Sequence, residues 1–210
     1  TVAHTITDTE RGVDKELFTN TSDSEVTRTT GTGSVTAFNS NGFTTNATNG
    51  FINYSGHNAC SWTFRKCPGF FDVVTYTGNG SAGHTVAHNL GSVPGCIMIK
   101  RLDVGTDWLV YHRSLDSTAP EDYRIVLNSS AARESDEFNV AWNSTAPTAT
   151  EFTLGTYSRV NANGGTYVAY IFAHDDQSFG DDGDEAIIKC GSYTGTGSLQ
   201  TIDLGFEPQY

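Results

Sequence analysis

The chain reads as a succession of short runs of alternating or continuous apolar residues, each broken by turn residues. Phe71-Asp72-Val73-Val74-Thr75-Tyr76-Thr77 is rich in β-branched and aromatic residues and stops at Gly78-Asn79-Gly80, which predicts a strand closed by a turn. His84-Thr85-Val86-Ala87-His88 alternates polar and small apolar residues, a second strand whose histidines are expected at the surface. Residues 97–102, the loop Asp103-Val104-Gly105-Thr106 and residues 107–112 form a hairpin pattern. Residues 123–127, 150–154 and 166–173 predict three more strands, the last almost wholly apolar or aromatic and therefore central in its sheet. Helical periodicity is weak, and the one helical turn expected is Ser130-Ala131-Ala132-Arg133-Glu134. Many short strands, with turn signals about every 8–12 residues, predict an all-β fold of β-sandwich, jelly-roll-like units.

The pattern also repeats. Tyr76-Thr77-Gly78-Asn79-Gly80-Ser81 returns 117 residues on as Tyr193-Thr194-Gly195-Thr196-Gly197-Ser198. Leu90-Gly91 with Pro94 returns as Leu204-Gly205 with Pro208. A second correspondence runs at 108 residues: Val2-Ala3-His4 with Val110-Tyr111-His112, Asp8 with Asp116, Asn20 with Asn128, and Trp62-Thr63-Phe64 with Tyr170-Ile171-Phe172. Self-similarity at a fixed period is the signature of repeat architectures. The expected organisation is the rear of one β unit at 1–67, a complete unit at 68–180, and the front of a further unit at 186–210. That last piece either begins a continuing array or completes 1–67 by strand complementation, within one subunit or between neighbours.

Composition narrows the function classes. Of 210 residues only 17% are charged, and the net charge is −12. Such a surface repels phosphate backbones and anionic lipid heads, so neither nucleic-acid binding nor membrane association is expected. No apolar run approaches the roughly 20 residues of a membrane span, and no signal peptide opens the chain. The first residue is Thr, which suggests a processed chain or a segment of a longer one. Cys60, Cys67, Cys96 and Cys190 form no CxxC pair and are expected as small buried apolar residues rather than bridges or zinc ligands.

Candidate chemistry is sparse. Residues 78–83 fit G-x-G-x-x-G, but a strand pattern follows where a dinucleotide fingerprint needs a helix, so a glycine-rich hairpin turn is expected. His84 and His88 have H-x-x-x-H spacing, which serves zinc on a helix but separates the rings by about 13 Å along a strand. The acidic run at 175–185 offers the strongest cation site. Asp175, Asp176, Asp181, Asp182 and Asp184 supply hard oxygens on a glycine-containing loop, as Ca²⁺ requires. Their spacing is not that of an EF-hand, and a solvated acidic linker is the plainer reading. Calcium is the one cofactor these residues could take. Trp108, Tyr111 and Trp142 could stack on sugar rings, although aromatics on alternating strands more commonly fill a core. There is no G-x-S-x-G elbow and no recognisable cysteine-protease context, so no catalytic residue is assigned.

Several stretches carry a resemblance. Residues 70–80, His88-Asn89-Leu90-Gly91-Ser92-Val93-Pro94-Gly95, Trp108-Leu109-Val110-Tyr111-His112-Arg113-Ser114-Leu115, Gly165-Thr166-Tyr167-Val168-Ala169-Tyr170 and Gly191-Ser192-Tyr193-Thr194-Gly195 form one series. Asp8-Thr9-Glu10-Arg11-Gly12 and Phe38-Asn39-Ser40-Asn41-Gly42-Phe43 extend it. Together they resemble a tandem β-repeat domain of virion structural and tail-fibre proteins of marine bacteriophages, cyanophages among them. Ala59-Cys60-Ser61-Trp62 departs from the pattern, which usually has an aromatic and Val before Ala. The resemblance implies a non-enzymatic, externally located virion protein that assembles as a homotrimer with other virion proteins. It would engage a host surface glycan or protein receptor. A capsid decoration or head-fibre protein differs only in its place on the particle. A glycan-degrading depolymerase and a secreted lectin are the readings from other classes.

Overall fold

A computed structural model describes residues 4–28, 34–46, 52–136 and 140–208. Val2 and Ala3, which figure in the expected correspondences, lie outside the described residues. The fold is all-β, with antiparallel sheets throughout. The N-terminal segment holds β1 (Thr5–Ile6), β2 (Lys15–Phe18) and β3 (Val26–Thr27), a small sheet in that order, then the hairpin of β4 (Val35–Asn39) and β5 (Gly42–Thr45). The central region holds β6 (Phe71–Thr77), β7 (His84–Ala87), β8 (Cys96–Arg101), β9 (Leu109–His112), β10 (Tyr123–Val126), β11 (Glu134–Ser135), β12 (Glu151–Leu154) and β13 (Thr166–Phe172).

Six of these strands form the main sheet in the order β11-β10-β9-β8-β13-β6, and β7 pairs with β12 separately. β13 is bonded on both sides, to β6 from Thr166↔Thr77 through Phe172↔Phe71 and to β8 from Tyr167↔Arg101 through Phe172↔Cys96. Its apolar run follows from this position, because neither face of β13 meets water. On one face Tyr167, Ala169 and Ile171 join Ile97, Ile99, Leu109 and Tyr111 against Val86, Phe152 and Leu154 from the β7–β12 pair. On the other, Val168 and Tyr170 join Phe71, Val73 and Trp108 against Leu17 of β2. The N-terminal segment therefore covers the second face of the main sheet.

Three local expectations are corrected. Residues 130–134 are not helical: Ser129 Oγ accepts from Ala131 N (3.1 Å), and Glu134 opens β11 opposite Arg124. Cross-strand pairing overrides the helix propensity of Ala-Ala-Arg-Glu. The short helices lie elsewhere, a 3₁₀ turn at Pro120–Asp122 and α1 at Ser158–Asn161. His88 is buried rather than at the surface, and His84 is half-buried. His84 and Val86 of β7 and His88 just beyond it face inward, while Thr85 and Ala87 face out, so the phase of the alternation is one residue from that expected. Third, none of the four cysteines is buried: Cys60 is exposed and Cys67, Cys96 and Cys190 are half-buried, each as a free thiol.

Candidate functional site

The glycine-rich loop between β6 and β7 is held by a dense set of side-chain hydrogen bonds. Buried Asn161, from the end of α1, fills it. Its Oδ1 accepts from Asn79 N (2.8 Å) and Gly80 N (3.3 Å) and lies 2.9 Å from His84 Nδ1. Its Nδ2 donates to Ser81 O (2.9 Å) and to Gly155 O (2.6 Å). The amides that would cradle a pyrophosphate in a dinucleotide loop thus face an internal side chain. Gly78 is required for steric reasons, since a Cβ there would stand 2.3 Å from Ala162 O. The turn expected from the sequence is present, and its stabilising residue, some eighty positions away, carries no local signal.

The second polar centre lies under the N-terminal segment. Arg11 Nε donates to Asp8 Oδ2 (2.5 Å), Arg11 Nη2 to Ile6 O (3.0 Å), and Tyr170 Oη to Asp8 Oδ2 (2.6 Å). Glu25 bridges Arg11 (3.3 Å) and Lys15 (3.1 Å). Burial works against the Arg11 charge, but Tyr170, Asp8 and Glu25 outweigh it and raise the guanidinium pKa. Burial likewise drives the Tyr170 phenol well above its ordinary range, so it stays a donor to Asp8. Nearby, Trp108 Nε1 donates to Phe18 O (2.9 Å). Lys100 is fully buried, its ammonium bonded to Arg101 O (2.9 Å) and Ser22 O (3.4 Å). Desolvation lowers its pKa to about 8 despite the surrounding Asp23, Asp107 and Asp103. Together these contacts fasten residues 4–28 to the main sheet. Beside them runs an open groove of ≈ 650 Å³ lined by Arg11, Lys15, Glu25, Tyr76, Asp103 and Tyr167. Asp103 in that groove is held down to about 2 by Arg101, helped by Thr166 N–H.

The acidic run folds as a small turn, with Phe179 and Glu185 paired around Gly180 and Gly183, both at positive φ. Asp181, Asp182 and Asp184 are exposed on it, while Asp175 and Asp176 are half-buried at its base. Asp175 meets Lys189 at 3.5 Å, and Asp176 lies against Gly69. Among the described residues no three His, Cys, Asp or Glu side chains converge as a metal would need. Trp108, Tyr111 and Trp142 are buried, so they are core rather than a sugar platform. His112 Nδ1 accepts from Ser114 N (3.2 Å), and His174 Nδ1 from Cys190 N (3.0 Å), both as turn-holding groups. The expected equivalence of His4 and His112 is also corrected. Asn20 Oδ1 accepts from His4 N as Asn128 Oδ1 does from Trp108 N, each at 3.0 Å, so His4 stands where Trp108 does. No helix among the described residues is long and apolar enough to cross a membrane.

No curated protein and no solved structure matches the chain. Residues 1–210 match a family described as a domain of unknown function, DUF7483. The chain, with its covered six-stranded sheet and Asn161-filled glycine loop, belongs to the DUF7483 family.

Proposed function

We propose that the chain is a non-enzymatic structural component of a bacteriophage virion, a tail-fibre or appendage protein that takes part in host attachment. Support comes first from the run of motifs at 70–80, 88–95, 108–115, 165–170 and 191–195, which resembles phage virion repeats. The structural observation that carries the reading is where the polar side chains go. Asp8, Arg11, His84, Lys100, His112, Asn161 and Tyr170 are engaged in holding turns or fastening segments to the sheet. Such commitment suits a scaffold that must keep its shape outside a cell. In this reading the units are jelly-roll-like sandwiches in tandem, and the assembly is a homotrimer in contact with other virion proteins and a host surface receptor.

Immunogold electron microscopy of purified phage, with antibody raised against residues 70–180, tests the location. Gold along tail appendages is the expected result. Gold confined to the head would replace the fibre role with capsid decoration. Unlabelled particles would remove the chain from the virion and turn attention to glycan binding or cleavage.

A further inference from the structure

The two ends of the described chain share geometry with the central region between them. In the main sheet, β10 pairs with β11 at Tyr123↔Ser135 and Arg124↔Glu134; β2 pairs with β3 at Lys15↔Thr27 and Glu16↔Val26, the same register 108 residues earlier. The junctions agree as well. Cys67 N donates to Phe71 O (2.9 Å), and Asp175 N donates to Ile188 O (2.8 Å). Cys67 and Asp175 stand 108 apart, Phe71 and Ile188 stand 117 apart, and the acidic turn takes up the difference. By these offsets residues 58–64 correspond to β13 and residues 188–194 to β6.

In the main sheet those two strands pair along their whole length. Their counterparts do not form strands. Residues 53–66 carry no strand and are exposed throughout, with Phe64 at 48%. Residues 191–199 are equally exposed and without strand, with Tyr193 at 71%. Within one chain each is held on its own side. Ile188 packs with the β7–β12 face of the main sheet, while Phe64 lies within 6.0 Å of Phe70, Phe71 and Phe172, the cluster on the other face.

We infer that residues 188–194 of one copy add as an antiparallel strand to residues 58–64 of a second copy, Phe64 opposite Ile188 and Cys60 opposite Ser192. This is strand addition to an open backbone edge, with main-chain bonds supplying the cohesion. Donor and acceptor are different surfaces, so the contact is head-to-tail and propagates unless it closes into a ring. The inference does not rest on the virion reading, and either stands if the other fails.

The register is testable because it inherits a bonding phase. Ala173 N→Phe70 O and Gly78 N→Gly165 O, both 2.9 Å, mark the hydrogen-bonded pairs. Val168–Thr75, and hence Cys60–Ser192, falls between them, where side chains approach most closely. A disulfide fits that spacing. Ser192→Cys is therefore made in the full chain with Cys67, Cys96 and Cys190 replaced by Ser, and Gly191→Cys in the same background places a thiol on the other face. Mild oxidation and non-reducing electrophoresis should give a ladder of dimers and higher species for Ser192→Cys and not for Gly191→Cys. A cross-linked band at the mass of one chain would overturn the second copy as occupant. Equal ladders from both variants, or none from either, would overturn the register. Should the background with Cys67, Cys96 and Cys190 replaced fail to fold, sedimentation velocity on the native chain decides independently. The expected result is a species growing with concentration, and Tyr193→Pro, which removes a pairing N–H in the exposed donor, should abolish that growth without lowering the melting temperature. A native chain that stays at the mass of one copy across concentrations would overturn the inference.

Discussion

Asn161 shows how one residue fixes a loop that sequence composition leaves free. Its amide satisfies groups from three stretches, 79–81, His84 and Gly155. Replacing it with Ala strands several buried donors and acceptors, and each costs about 1–3 kcal/mol when left unmet. Asn161→Ala should lower the unfolding free energy in urea by about 2–4 kcal/mol, and Asn161→Asp should not restore it, because the donors to Ser81 O and Gly155 O stay missing. Lys100 makes a second prediction at this scale. Its pKa falls from 10.5 to about 8 on folding, so between those values the unfolded chain binds the proton the folded chain has lost. Stability from this group therefore rises with pH from about 8 towards 10.5 and is weakest below that window. The difference in unfolding free energy between wild type and Lys100→Met, followed from pH 7 to 10.5, should shift toward the wild type as pH rises; a difference independent of pH would refute the assignment.

At the scale of elements, the N-terminal segment is held as much by charge as by apolar contact. Leu17 is fully buried against Trp108, Val168 and Tyr170, while Asp8 and Arg11 sit beside it. Arg11→Met leaves the Asp8 carboxylate without its cation and should destabilise the fold by about 3–5 kcal/mol, whereas Tyr170→Phe removes one neutral donor and should cost about 1–2 kcal/mol. Chemical denaturation of both variants checks the order, and a larger loss for Tyr170→Phe would contradict it. The same elements show which parts of the fold were legible in sequence. β6 runs over the residues its pattern predicted, Phe71–Thr77, because β-branched residues and a Gly-Asn-Gly stop act locally. β13 was readable as central because a strand covered on both faces has no polar side. Residues 130–134 were misread because Arg133 over the Tyr123 ring (4.0 Å) and Arg124 beside Glu134 (3.2 Å) are cross-strand contacts that local propensity does not contain. Arg11, Lys100 and Asn161 were missed for a related reason: Arg11 and Asn161 are polar residues in polar stretches, Lys100 closes an apolar strand run beside Arg101, and the burial of each depends on partners far along the chain.

For the molecule as a whole, the chain enters and leaves the main sheet at one place. The chain arrives at Phe71 and leaves at Phe172, and these two are register partners with rings 4.9 Å apart. Gly69 lies against Ser178 and Asp176, so the connections on either side run together. Under tension this arrangement behaves as a zipper. A pull on the incoming and outgoing chain loads the Phe71–Phe172 pair first and peels β6 from β13 one pair at a time, instead of shearing all their bonds together. Optical-tweezers handles at Gly69 and His174 should therefore open the sheet at lower force than handles at Gly80 and His174, which load the same strands lengthwise. A string of such sheets under load would lengthen in steps before it broke, giving a fibre that absorbs work as it extends.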